Sequence, residues 1–321
     1  MTGTGITEKA IERGEGATAS DERQVQVASK IGLCCRVDGD AGRPAVLLIA
    51  GLGQQLIEWP QELVDGLLEA GFRVVRFDNR DVGRSSRSDI PAPTAWEMLT
   101  RRFSAAQYVL GDLALDTVGL LDGLGIDSAH LVGMSMGGMI AQTVAARYPS
   151  RVRSLTSIMS TTGAKRLGRP TLATYARLYR PVPAEREAAA DATVAMMRHV
   201  GSRGFPFDTE RVRATALKAW DRDGGPNDDG PVRQLAAIFK SGDRTREVAQ
   251  ITAPTLVIHG DRDPMVAPTG GWATSRAIPR SRLLTIPGMG HDIPTVACPE
   301  LVEAISELAW GAEKRREAPD A

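Results

Sequence analysis

Apolar runs and polar gaps alternate along the chain in a pattern that predicts strands and helices in turn. Residues 24–28 alternate between apolar and polar with a period of two, and residues 31–37 follow after a short turn, so the chain is predicted to open with a hairpin. The continuous apolar run at 45–50 is typical of a strand that is buried on both faces of a parallel sheet. Further strands are predicted at 72–77, 130–133, 152–159, 254–259 and 282–286.

Helical patterns separate most of these strands. They are predicted at 60–70, 106–123, 136–147, 271–277 and 299–313. Strands that alternate with helices predict an α/β fold, here with a mostly parallel sheet of about eight strands and helices on both faces. The opening hairpin adds antiparallel strands at one edge of this sheet.

The segment 163–250 interrupts the alternation, because it contains several helical patterns and no convincing strand. Asp208 is a good helix N-cap, and Val212, Leu217 and Trp220 follow on one plausible helix face. The segment is therefore predicted to be a helical insertion between the sixth and seventh strands. The predicted organisation is an N-terminal tail at 1–22, a core at 23–162 and 251–313, the insertion at 163–250, and a C-terminal tail at 314–321.

The composition is that of an ordinary globular protein. The 321 residues include 42% hydrophobic side chains, and 39 basic residues balance 39 acidic ones. This balance gives no electrostatic footprint for nucleic acid or an anionic membrane. No apolar run reaches about 18 residues, so no membrane span is expected, and the first 22 residues lack the apolar core of a signal peptide. We expect a cytoplasmic protein.

The three cysteines are too few for a disulfide scaffold. Cys34 and Cys35 are adjacent in a predicted strand, and Cys298 is alone. An odd number of cysteines without a secretion signal favours free thiols in a reducing compartment. Burial as small apolar side chains is the expected role, and a redox switch formed by Cys34 and Cys35 stays open as an alternative.

A nucleophile motif lies between the strand at 130–133 and the following helix. Residues 133–137 read Gly-Met-Ser-Met-Gly, which fits the pattern G-x-S-x-G in the strand–turn–helix context that it requires. The turn is so sharp that Gly133 and Gly137 are needed on either side of Ser135. Ser135 is therefore the predicted nucleophile, and the competing interpretation is a tight turn with an incidental serine.

A serine hydroxyl needs a base, and the chain has four histidines. His130 begins the strand before the motif and cannot fold back, His199 lies in the insertion, and His259 lies inside a buried strand. His291 lies in a loop that leaves the carboxyl end of a strand, the edge where Ser135 also lies and where catalytic groups collect in α/β sheets. His291 is the predicted base.

The acid that orients this base is predicted at the end of another strand. Asp263 follows the strand at 254–259, whereas Asp261 is expected to cap the turn and Asp292 to be structural. The resulting chain order of serine, aspartate and histidine differs from the orders of the two other familiar serine-protease folds. The Met136 amide, directly after the nucleophile, is one predicted donor to an oxyanion, and the open loop at 51–54 should supply the other.

With these motifs, the chain resembles the α/β-hydrolase family over about residues 24–311. Ala50-Gly51-Leu52 stands where the family usually has His-Gly-x, so the chain departs from the pattern at Ala50, and the resemblance implies that Leu52 supplies the second oxyanion amide. Trp59 and the segment 78–85 match structural positions of the family. The resemblance also implies that 163–250 is a cap that roofs the substrate pocket. Residues 288–294 are similar to a bacterial subgroup that includes aclacinomycin methylesterase.

The predicted function is a serine hydrolase that cleaves carboxylic esters through an acyl-enzyme, with no metal or organic cofactor. A small-molecule ester, largely apolar, is the expected substrate. Perhydrolases of the haloperoxidase type and C–C bond hydrolases stay open, as does a ligand-binding receptor with little turnover. Ser135 disfavours the dehalogenases and epoxide hydrolases of this fold, which use an aspartate nucleophile.

Overall fold

A computed structural model describes residues 21–27, 30–178, 180, 182–227 and 229–317. Eight strands within these ranges form one sheet: β1 (Glu22–Gln26), β2 (Gly32–Asp38), β3 (Ala45–Ile49), β4 (Arg73–Phe77), β5 (Ala129–Met134), β6 (Val152–Ile158), β7 (Thr255–Gly260) and β8 (Ser281–Ile286). The helices are α1 (Gln61–Glu69), α2 (Ala95–Thr100), α3 (Leu110–Gly123), α4 (Met136–Arg147), α5 (Leu172–Leu178), α6 (Arg186–Val200), α7 (Thr209–Asp223), α8 (Asp229–Ser241), α9 (Thr245–Val248), α10 (Thr269–Ala277) and α11 (Cys298–Glu317).

The sheet has the strand order β1-β2-β4-β3-β5-β6-β7-β8. The pairs β1/β2 and β2/β4 are antiparallel, and all other neighbours in the sheet are parallel. The predicted α/β class, the opening hairpin and the mostly parallel sheet are confirmed. Because β5, β7 and β8 run in the same direction, the loops that follow them meet at one edge of the sheet.

Each face of the sheet carries its own apolar core, because successive strand residues point to opposite faces. On one face, Leu47 and Ile49 of β3 pack with apolar side chains of α3 and α4. On the other, Val46 and Leu48 pack with α1 and α11. All four β3 side chains are completely buried, which accounts for the uninterrupted apolar run that this strand shows in the sequence.

Residues 163–250, called the insertion from here on, contain α5 to α9 and lie between β6 and β7. Two buried arginines fasten the insertion to the core. Arg222 of α7 lies 3.0 Å from the Asp78 carboxylate and 2.9 Å from that of Glu22. Arg233 of α8 lies 3.0 Å from the buried Asp81 carboxylate. The insertion is therefore held by charge pairs that water hardly reaches.

The structure corrects the predicted boundaries at both ends of the chain. Residues 1–20 of the predicted N-terminal tail lie outside the described residues, but Glu22 already belongs to β1. The last helix continues to Glu317, past the predicted start of the C-terminal tail at 314. Lys314 to Arg316 suit the negative end of this helix, and Arg316 donates a 3.1 Å hydrogen bond to Ser128 Oγ.

Two further features concern single elements. Helix α2 was not predicted, although its capping box, in which Thr94 and Glu97 bond each other reciprocally, is a recognisable sequence signal. Cys34, Cys35 and Cys298 are free and buried, and burial raises the pKa of Cys34 to about 12. Among the described helices, none combines the length and the apolar character that crossing a membrane requires.

Candidate active site

Ser135 occupies the sharp turn between β5 and α4. Its backbone has φ 54° and ψ −119°, a region that L-residues rarely adopt and that costs about 1–3 kcal/mol. The turn is held on both sides, since the Ser135 amide donates to the Ile158 carbonyl over 2.9 Å and Ser160 Oγ donates to the Ser135 carbonyl over 2.8 Å. The Ser135 side chain stays half-buried at the edge of the sheet.

Gly133 and Gly137 are sterically required at this turn. A Cβ on Gly133 would lie 2.2 Å from the Gly137 carbonyl oxygen, and a Cβ on Gly137 would lie 1.9 Å from the Ile49 carbonyl oxygen. Both distances are far below van der Waals contact, and both obstacles are backbone atoms that cannot rotate away. The spacing of the motif thus has a direct physical cause in this fold.

The structure brings Ser135, His291 and Asp263 together from three loops. His291 Nε2 lies 3.0 Å from Ser135 Oγ, and His291 Nδ1 lies 2.7 Å from Asp263 Oδ2. The Asp263 side chain is fully buried and that of His291 is 11% exposed. An ionised carboxylate only accepts hydrogen bonds, so it fixes the imidazole proton on Nδ1 and leaves Nε2 free to accept the serine proton.

The Asp263 carboxylate is kept charged by its surroundings. Its Oδ1 accepts hydrogen bonds of 2.8 Å and 2.9 Å from the amides of Met265 and Val266. Burial raises the pKa of Asp263, but the charge of His291 and hydrogen bonds from His259 and His291 outweigh burial and lower it to about 2. Asp263 is therefore ionised at neutral pH.

His259 supports Asp263 from behind, which the sequence analysis missed. His259 Nε2 lies 2.8 Å from the Val266 carbonyl oxygen and 3.5 Å from Asp263 Oδ2. Because a carbonyl only accepts, His259 carries its proton on Nε2 and directs it toward both oxygens. The spacing of four residues between His259 and Asp263 was visible in the sequence, but the turn that folds one onto the other was not.

The other polar residues weighed in the sequence lie apart from Ser135 Oγ. His130 is buried with Nδ1 at 2.8 Å from Ser154 Oγ, and burial, followed by the charges of Arg153 and Arg316, lowers its pKa to about 3. His199 Nε2 lies 2.9 Å from Thr174 Oγ1 within the insertion.

Two carboxylates beside the candidate site have structural contacts. Asp261 Oδ1 accepts a 2.6 Å hydrogen bond from the Gly288 amide and so holds the turn. Asp292 accepts from the amide of Ser202 over 2.8 Å and from its hydroxyl, and burial raises the Asp292 pKa. Both residues bind backbone or insertion groups in the structure.

The loop that carries His291 is bound to the insertion through backbone atoms. The His291 amide donates to the Val200 carbonyl over 2.7 Å, and the Gly290 amide donates to Ser202 Oγ over 2.9 Å. A Cβ on Gly290 would lie 2.5 Å from the carbonyl carbon of Gly201, so only glycine permits this approach. These contacts with the end of α6 thus fix the position of the His291 backbone, and with it the position of the imidazole.

The two predicted amide donors flank Ser135. Met136 follows it in the chain as the first residue of α4, and Leu52 lies in the turn that Gln54 closes by donating its amide to the Gly51 carbonyl over 3.2 Å. A Cβ on Gly51 would lie 3.4 Å from Ser135 Cβ, so this turn lies close to Ser135. The Met136 and Met289 side chains are completely buried in the two cores, where they serve packing.

A cleft of about 160 Å³ lies between the core and the insertion, and its lining includes residues that are next to Ser135 and His291 in the sequence. Its lining is mostly apolar, with Met134 from the core and Met197, Phe207 and Val212 from the insertion. Glu58 is a titratable group in this lining, and burial raises its pKa to about 7. Three further charged side chains line the cleft, so it could receive a small group that makes both apolar and polar contacts.

The fold and the Ser–His–Asp arrangement define a class of protein. The model for the alpha/beta hydrolase fold family matches residues 44–295, and the chain belongs to this family of hydrolases. Rhodomycin D methylesterase DnrP of Streptomyces peucetius is 30% identical over an alignment of 291 positions, which covers 83% of this chain and 91% of that protein.

Two further comparisons agree with this assignment of the family. BpoC of Mycobacterium tuberculosis, provisionally named a non-heme bromoperoxidase, is 28% identical over 79% of this chain and 88% of its own length. A solved structure of a hydrolase from Pseudomonas aeruginosa superposes with a TM-score of 0.65 at 25% identity, and the match covers 92% of this chain and 99% of that one. Methylesterase and bromoperoxidase are thus both names carried by relatives.

Proposed function

We propose that this hydrolase cleaves carboxylic esters, with Ser135 as nucleophile, His291 as general base and Asp263 as the group that orients the imidazole. The observation that carries the proposal is the unbroken line of polar contacts from Ser135 Oγ through the His291 ring to the buried Asp263 carboxylate, 3.0 Å and 2.7 Å long. The methylesterase relative supports an ester as the substrate class.

The proposed reaction has two halves. His291 Nε2 takes the Ser135 proton as Oγ attacks the ester carbonyl carbon, and the amides of Leu52 and Met136 bind the negative charge that develops on the carbonyl oxygen. His291 then gives the proton to the leaving alkoxide, which departs as the alcohol. Water activated by His291 releases the acid from Ser135. Each amide donor contributes typically about 3 kcal/mol to transition-state binding.

The proposed substrate is a small, largely apolar ester. The mostly apolar cleft between core and insertion supports this choice, as does a chain without net charge. The insertion would act as the cap of this pocket, since Met197, Phe207 and Val212 contribute its roof. The balanced charge of the chain gives no reason to propose nucleic acid or an anionic membrane as a partner.

Perhydrolysis is the second candidate, because BpoC carries the name of a bromoperoxidase. In that reaction hydrogen peroxide replaces water in the second half and the acyl group leaves as a peracid. Met136 and Met289 lie close to Ser135 and His291 in the sequence, but their side chains are completely buried and pack in the cores, so they give no argument for a peroxide-binding pocket. The ester hydrolase remains the better supported proposal.

Hydrolysis of nitrophenyl esters over a range of acyl lengths tests the proposal. Ser135→Ala should lower kcat by a factor on the order of 10⁶, because the nucleophile and its base act as one unit. A fluorophosphonate probe should label the wild type and leave the variant unlabelled. Ser150→Ala, which removes an exposed serine, is the matched control and should label like the wild type.

Three outcomes would contradict the proposal in different ways. Labelling of the Ser135→Ala variant would show that Ser135 is not the nucleophile. Labelling of the wild type without turnover of any ester would favour a binding protein, and peracid formation from acetate and peroxide without ester turnover would favour the perhydrolase.

A further inference from the structure

Two glutamine side chains hold the backbone on either side of Leu52. The Gly51 amide donates to Gln54 Oε1 over 3.0 Å, and the Gly53 amide donates to Gln234 Oε1 over 2.8 Å. Gln54 belongs to the same turn, whereas Gln234 comes from α8 of the insertion. Within the described residues, the amide of Leu52 donates no hydrogen bond, so it is left free between two amides that are held.

Gln54 has a fixed orientation. Its amide group contacts the Glu58 carboxyl, which also accepts a 2.8 Å hydrogen bond from the Gln55 amide. The Gly51 amide can only donate, so Gln54 turns its oxygen to Gly51 and leaves its nitrogen on the side of Glu58. A Cβ on Gly51 would lie 2.4 Å from Gln54 Oε1, so glycine is what allows this close approach.

Gln234 is fixed as well, and it is completely buried. Its Nε2 donates a 2.8 Å hydrogen bond to the carbonyl oxygen of Arg80. The Arg80 guanidinium is in turn paired with the buried Asp116 carboxylate, with Nη2 at 2.6 Å from Oδ1. The Gln234 side chain, which reaches the turn from the insertion, is thus itself hydrogen-bonded to a buried part of the core.

The residue before this turn offers no such support. Ala50 has only a methyl group as side chain, although its carbonyl accepts a 3.2 Å hydrogen bond from Asn79. A turn with φ +70° at Gly53 and no polar side chain at its start needs other groups to keep one conformation. The two glutamines supply hydrogen bonds at the two positions where they constrain the Leu52 peptide.

We propose that Gln54 and Gln234 are positioning residues that hold the Leu52 amide toward the oxygen of the tetrahedral intermediate. This inference rests on the proposed ester hydrolysis. A donor in an oxyanion site works because its direction is set before the reaction, so loosening the turn weakens transition-state binding more than substrate binding. The insertion would then contribute to the rate of the reaction as well as to the shape of the pocket.

Gln234→Leu tests the proposal with a side chain of similar size. We expect kcat for a nitrophenyl ester to fall about 10- to 100-fold with KM changed less than about twofold. The affinity for a boronic acid, which mimics the tetrahedral intermediate at Ser135, should fall by a similar factor. Gln54→Leu, whose side chain is only half-buried, should behave in the same way and keeps the test open if Gln234→Leu does not fold.

Gln107→Leu is the matched control. Gln107 is also buried and also links α8 to the core, since its Nε2 donates to the Arg233 carbonyl over 3.0 Å, but it does not contact the turn at Leu52. It should lower thermal stability while kcat and boronic acid affinity stay near the wild-type values. A similar loss of kcat in this control would mean that α8 acts only through general stability and would overturn the inference.

The failure of this inference can be told apart from that of the proposed function. If the wild type hydrolyses no ester, the proposed function fails and this inference fails with it. If the wild type is active and the folded Gln54→Leu and Gln234→Leu variants keep kcat within about twofold, only the positioning role is overturned.

Discussion

Ser135, His291 and Asp263 are held by residues that touch none of the atoms proposed to react. His259 and two backbone amides keep Asp263 charged, and the Val200 carbonyl holds the backbone of His291. Each of these contacts fixes a direction: that of the carboxylate, of the imidazole proton or of the ring. At the scale of residues, the site depends on the directions of its hydrogen bonds. A substitution that keeps the size of a side chain can therefore still disrupt the site.

Replacement of Asp263 by asparagine tests the direction of the imidazole proton. The new amide would present a donor to His291 Nδ1, which favours the tautomer with the proton on Nε2 and blocks acceptance of the serine proton. We expect kcat to fall by about 10⁴ at neutral pH with little change in KM. Steady-state kinetics on a nitrophenyl ester measure this effect.

Asp261→Asn is the control for this variant, since Asp261 lies two residues away and holds the Gly288 amide. It should keep most of the activity. An Asp263→Asn protein that retains more than about a tenth of the wild-type kcat would show that His291 does not need its acid.

At the scale of elements, the strands were the easiest part to predict. The apolar runs of β3 and β7 stand out because both faces of these strands are buried. Helix α2 is only six residues long, and its single sign was the capping box. The contacts between insertion and core could not be predicted, because hydrogen bonds that join residues more than 100 positions apart leave no periodic trace in the sequence.

Removal of Arg222 tests how the insertion is fastened. Arg222→Met leaves the buried Asp78 carboxylate without its cation, while Glu22 keeps only its pair with Arg84, and we expect a loss of about 3–5 kcal/mol in the free energy of unfolding. Burial raises the pKa of Asp78 even beside Arg222. The loss should therefore shrink at lower pH, where Asp78 takes up a proton and its unpaired charge disappears. Urea unfolding at several pH values measures both effects.

Arg186→Met is the matched control, because Arg186 pairs with Asp221 on the exposed side of the same insertion. Water solvates both charges there, so we expect no measurable loss of stability. Equal losses in the free energy of unfolding of the two variants would mean that burial does not make the Arg222 ion pairs more stabilising than an exposed ion pair.

At the scale of the whole molecule, more of the candidate site could be predicted from the sequence than of the residues that surround it. Four histidines and a motif in strand–turn–helix context were enough to select Ser135 and His291, because parallel strands deliver their loops to one edge. Gln234 could not be selected, since nothing in the sequence of α8 distinguishes it from a glutamine that serves packing. The sequence therefore predicts the residues that would react, whereas the residues that orient them are recognised only in the folded structure.

The acid stability of the whole protein should depend on Asp263. Its pKa is lowered from 3.8 to about 2, so the folded state holds the charged form more strongly than the unfolded state does. The stabilisation is present above about pH 4 and is lost as pH falls toward 2, and it amounts to about 2 kcal/mol. Chemical unfolding between pH 5 and pH 2 should show a steeper loss for the wild type than for Asp263→Asn. Parallel curves for the two proteins would contradict this assignment.

The pairing of Arg222 with Glu22 also bears on the order in which the chain is made. The two residues are 200 positions apart, so at about 5–20 residues per second the ribosome needs about 10 to 40 s to deliver the cation after the carboxylate. During that interval Glu22 can pair with Arg84, which is made 62 positions after it, but not yet with Arg222. The contact between the first strand and α7 can therefore form only after residue 222 has been made, well after the strand has its partners in β2.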